Sequence, residues 1–157
     1  VALSATEFDL IAQRVQGMEA VSTPYIGVAV WTPPVHPESD RSVYHRSSTK
    51  SLVPLPDSKQ EVETIAEDLP HPSTILLGAD ATGSRFKKLS SEGTDVNHLA
   101  LHGYADIDYP DRSALIFALD QGSGEGGLLQ VREIRGPHFK ARMATLSACN
   151  TGVGPER

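Results

Sequence analysis

The run Val96 to Leu101 (V-N-H-L-A-L) narrows the fold more than any other stretch of this chain. It is apolar apart from Asn97 and His98, as expected of a strand covered on both faces, and such strands belong to parallel sheets flanked by helices. Tyr25 to Trp31 (Y-I-G-V-A-V-W) is a second compact β-branched run, closed by Pro33 and Pro34. Thr74 to Leu77, Ser113 to Leu119 and Met143 to Ala148 read as further strands. Leu128 to Val131 returns as a hairpin partner, with the glycine-rich segment from Asp120 to Gly127 as its turn. That glycine run lacks the G-K-[ST] ending of a phosphate loop and opens no helix.

Helices alternate with these strands. Ser58 and Glu61 have the S-x-x-E form of a capping box. Val62, Ile65, Ala66 and Leu69 then form one apolar stripe, which Pro70 and Pro72 stop. Thr82 to Leu89 reads as a short helix capped by Thr82, with Phe86 and Leu89 turned to the core. Phe8, Ile11, Val15 and Met18 follow helical spacing within Leu3 to Met18. Val131 to Ile134 begins a helical turn closed by Gly136 and Pro137. From Thr32 to Pro56 there is no usable periodicity, so residues 32–56 are expected to form a long loop, with an edge strand near Ser51 to Pro54. The pattern predicts a single α/β domain over residues 1–157, a three-layer sandwich with a mostly parallel sheet.

The bulk properties exclude several functions. The net charge of −6 comes with no basic stripe, which argues against nucleic acid as a partner. No window approaches the roughly 18–20 apolar residues of a membrane span. One cysteine cannot form an internal disulfide, so the cytoplasm is the expected setting. The six histidines contain no pair with metal-ligand spacing; His98 and His102 are four apart, but on a strand. No metal and no cofactor is expected. The chain does not begin with methionine, and the expectation is a piece of a longer protein.

Two strands end on reactive side chains. Val96 to Leu101 delivers His102 and Gly103, and the segment A-T-L-S-A-C-N-T-G delivers Cys149. Ligands bind at the carboxyl ends of parallel strands, where both residues fall. A free thiol, with a pKa near 8.5, is mostly protonated at neutral pH, so an adjacent imidazole is what would activate it. The backbone N–H of Gly103, with that of Cys149, could hold an oxyanion. On the residues alone, a lone cysteine ending a strand is more readily a small buried hydrophobe. His98 reads as structural, on the same face as His102 if the strand alternates. Tyr25 and Trp31 read as core, and His36, His45, His71 and His138 as loop residues without a role.

The pair of blocks H-L-A-L-H-G (His98 to Gly103) and L-S-A-C-N-T-G (Leu146 to Gly152) resembles the CHAT domain, a caspase-like branch of cysteine peptidases related to separase. L-P-D-S-K-Q-E-V-E-T-I-A, L-L-G-A-D-A-T, D-R-S-A-L-I-F-A-L and G-G-L-L-Q-V-R-E-I extend the similarity over about Pro54 to Pro155. The separation of 47 between His102 and Cys149 fits the spacing of about 50 seen in caspases. The resemblance implies a cysteine endopeptidase with His102 as general base and acid, Cys149 as nucleophile and Gly103 as oxyanion donor. It implies a peptide or protein substrate and no cofactor. Basic-specific relatives carry an aspartate where this chain has Ser147-Ala148; Asp106 and Asp108 are the acids nearest His102 in sequence. Relatives continue beyond their cysteine with further strands and helices, so a second chain or a C-terminal segment is expected to complete the fold. The alternatives are a caspase-like scaffold serving as a non-catalytic interaction or signalling module, and an unrelated hydrolase. The second fits poorly, because its nucleophile would precede its histidine in a G-x-C-x-G elbow.

Overall fold

A computed structural model describes residues 23–32, 52–69, 72–106, 108–120, 122, 126–136 and 139–147. The expected helix from Leu3 to Met18, most of the 32–56 loop, the four loop histidines and Cys149 lie outside these residues. The elements run β1 (Thr23–Ala29), α1 (Ser58–Asp68), β2 (Ser73–Leu77), α2 (Gly83–Glu92), β3 (Thr94–Ala100), β4 (His102–Tyr104), β5 (Ala114–Ile116), β6 (Leu128–Gln130), α3 (Val131–Ile134) and β7 (Ala141–Leu146). Short 3-10 turns at Gly78–Asp80 and Pro110–Arg112 punctuate them.

The main sheet has the order β2-β1-β3-β7. All its pairings are parallel, as the two-sided apolar runs require. After β1 the chain builds outward to β2, then crosses to the other side of β1 for β3. That reversal puts a topological switch point between β1 and β3, with its crevice at the carboxyl ends of the strands. The second sheet, β4-β5-β6, is antiparallel. The expected hairpin return is therefore β6 on β5. Gly127 closes it by accepting the Phe117 N–H on its carbonyl oxygen at 2.7 Å, and a Cβ there would run into the Phe117 carbonyl oxygen.

The larger core lies between the two sheets and α2. Ile26, Val28, Leu76, Phe86, Leu99, Leu101, Leu115, Phe117 and Leu129 are buried there. Phe86 stacks on Phe117 with ring centroids 5.4 Å apart. Leu89 packs against the same cluster from α2, whose start is capped as expected: Thr82 Oγ1 accepts from Arg85 N–H. Such a cap is worth about 1 kcal/mol. On the opposite face α1 covers the sheet through Val62 and Ala66. Small residues there let it approach closely, Ala29 and Ala100 forming a second cluster with Val62. Gly27 faces the same helix, and a Cβ on it would clash with Val62 Cγ1 and lie 2.7 Å from the Tyr25 ring.

Three expectations change. The S-x-x-E capping box of α1 does not form: Asp57 occupies the N-cap without a side-chain bond, and Ser58 Oγ donates instead to the Leu55 carbonyl at 2.9 Å. Glu61 is thereby free for tertiary partners. No strand forms over 52–55, although Leu55 N–H does bond the Trp31 carbonyl at 2.8 Å. Trp31 is only partly buried, against Gly78 and under the Lys59 ammonium.

Candidate active site

β3 does not run straight into the histidine. It ends at Ala100, the chain bends at Leu101, and His102 opens β4 in the other sheet. Leu101 is completely buried in the core, which pins the bend. His102 therefore sits at the joint between the two sheets, at the carboxyl end of β3. The imidazole is buried, and its Nε2 has no hydrogen-bond partner among the described residues. Burial holds its pKa below the ordinary 6.5, and a hydrogen bond to the backbone of Val53 offsets part of that. Burial therefore favours the neutral ring, and Nε2 is the nitrogen left without a partner. A neutral imidazole is the protonation state a general base needs. Gly103 follows on β4, paired with Leu115.

The second strand of the expected pair is in place. β7 lies directly beside β3, in parallel, with Thr94 opposite Ala141 and Leu99 opposite Leu146. The ladder continues one step further, Ser147 N–H donating to the Leu99 carbonyl at 3.0 Å. Every pair in this register is separated by 47 positions. His102 and Cys149 are separated by the same 47.

His98 is the other buried histidine, and its structural role is specific. Its Nε2 is 2.9 Å from Glu61 Oε1 on α1. The second carboxylate oxygen, Glu61 Oε2, accepts from Ser147 Oγ at 3.2 Å. The Tyr25 ring meets the His98 ring edge-on, with centroids 6.3 Å apart. Tyr25 is pushed up to about 12 by its burial and by the nearby Glu61 charge. A polar line thus runs across β1, β3 and the end of β7 on the α1 side of the sheet.

Glu61 and Tyr25 are the members of this region that sequence reasoning missed. The available signal was the alternation along β3: it places His98 and Ala100 on one side, so a helix covering that side must offer His98 a partner. The local S-x-x-E pattern assigned Glu61 to its own helix terminus instead.

Asp106 is committed to its own loop, its Oδ1 accepting from Tyr109 N–H at 2.9 Å while its N–H donates to Ser113 Oγ. Asp108 is exposed. Neither has a described contact with His102. On the face away from Glu61, Leu99, Leu115, Phe86, Phe139, Ile134 and Leu146 line an apolar groove of about 470 Å3. Gly103 borders that groove, but His102 does not. No helix among the described residues is long and apolar enough to cross a membrane.

Compared with protein families, residues 4–157 match the CHAT domain. No curated protein and no solved structure matches the chain.

Proposed function

Because the chain belongs to the CHAT family of caspase-like peptidases, we propose that it is a cysteine endopeptidase using His102 and Cys149. His102 Nε2 takes the proton from the Cys149 thiol, and the thiolate attacks the carbonyl carbon of a peptide bond. The Gly103 N–H receives the negative charge that develops on the carbonyl oxygen. Collapse expels the amine, which leaves with the proton from His102, and forms a thioester. Water, deprotonated by the same imidazole, then releases the acid and restores the thiol.

The observation that carries this reading is the β3–β7 register. Its constant offset of 47 equals the sequence separation of His102 from Cys149, which supports the reading that the two residues work as a pair. Adjacent strands lie about 4.8 Å apart, within reach of a histidine–cysteine pair. The partnerless Nε2 of a neutral His102 supports the same assignment. The substrate in this reading is a peptide or protein, and the reaction uses no cofactor. A reducing cytoplasm suits an enzyme whose single cysteine must remain a thiol.

A peptidyl acyloxymethyl ketone tests the proposal, because it alkylates a thiolate only after the carbonyl is seated beside it. Intact mass spectrometry should show one adduct per chain, on Cys149, and His102→Ala should remain unlabelled. Equal labelling of both proteins, or of neither, would leave the fold as a non-catalytic scaffold.

A further inference from the structure

Glu61 joins three elements that converge near the strand ends. It extends from α1, faces the buried His98 of β3 with one carboxylate oxygen and receives the Ser147 hydroxyl with the other. Ser147 lies just past β7 and two residues before Cys149. Among the described residues β7 pairs only with β3, and Met143 and Leu146 are half exposed. The end of this outer strand is held by one backbone bond to Leu99 and by the side-chain bond to Glu61.

We propose that Glu61 is a positioning residue: its carboxylate ties the end of β7 to His98 and so fixes where the following residues present Cys149. This rests on the catalytic reading of His102 and Cys149. Among the described residues Glu61 makes no contact with His102, and it acts through Ser147. A carboxylate suits the role because its two oxygens accept from an imidazole N–H and a hydroxyl at once. A glutamine keeps the geometry, since its oxygen can accept from His98 while its amide donates to the serine oxygen. An alanine keeps neither bond.

The single cysteine makes the test direct. A trifluoromethyl group attached to Cys149 reports by 19F NMR on the order of that segment without needing catalysis. Glu61→Ala and Ser147→Ala should each shift and narrow the resonance. The double variant should resemble Glu61→Ala, and Glu61→Gln should resemble the parent. In unlabelled protein, Glu61→Ala and Ser147→Ala should lower the alkylation rate at pH 6.5, relative to that at pH 9, by on the order of tenfold, the scale of a small misplacement. A merely structural Glu61 would lower the melting temperature and leave both readouts of the folded protein unmoved, which overturns the proposal. Should Glu61→Ala fail to fold, Ser147→Ala decides, because its side chain is exposed and its spectrum must still change. If the parent and His102→Ala show the same alkylation profile, the catalytic reading fails, and the 19F comparison alone decides the tether.

Discussion

The two faces of the main sheet are built from different chemistry. The face toward α2 and the second sheet is a core of large apolar side chains, from Ile26 and Val28 through Leu99 to Phe117, interrupted by one buried polar pair, Asn97 with Ser90. The face toward α1 is nearly stripped of bulk: Gly27, Ala29 and Ala100 admit the helix, and the remaining space holds Tyr25, His98 and Glu61. The first face stabilises by area and shape. The second spends less area and commits buried polar groups to defined partners, which fixes strand ends relative to one another. His102 stands past the end of β3, and its Nε2 is, among the described residues, the one buried histidine nitrogen left without a partner.

Removing bulk from the apolar face should have the largest effect. Phe117→Ala deletes a completely buried ring stacked on Phe86. It should cost about 3–5 kcal/mol, measured by urea unfolding. Adding bulk to the polar face comes next. Gly27→Ala forces Val62 and the Tyr25 ring aside, at an expected cost of about 1–3 kcal/mol. If Gly27→Ala is neutral, the close approach of α1 is not what separates the faces.

The pH response should sharpen the contrast. The His102 pKa is held below 6.5 by burial, so below that pH the unfolded chain binds a proton that the native state refuses. Its contribution is therefore intact above pH 6.5 and is lost as pH falls from 6.5 through the lower native value. The melting temperature of the parent should fall more steeply over that range than that of His102→Asn, and the two slopes should agree above it. The smallest effect belongs to the outer strand. Met143 is 54% exposed, and Met143→Ser should change stability by less than about 0.5 kcal/mol.

Much of this division was legible in the residues. Two-sided apolar runs gave a parallel sheet, and the neighbouring placement of β3 and β7 followed from the reactive residues at their ends. Boundaries were less legible. An apolar run such as 96–101 does not announce a bend, because Leu101 is equally suited to a strand and to the core on which the chain turns. The misreading of Glu61 has the same origin. A capping box is a local pattern, whereas His98 lies 37 positions away and Ser147 lies 86 away, and tertiary partners took the carboxylate.

The most direct test of the dyad is the pH dependence of Cys149 alkylation by iodoacetamide, in the parent chain and in His102→Ala. The account predicts that the parent reacts well below the pH of a free thiol, about 8.5, and that His102→Ala loses this acid-side reactivity. Superimposable profiles centred near pH 8.5 would contradict it.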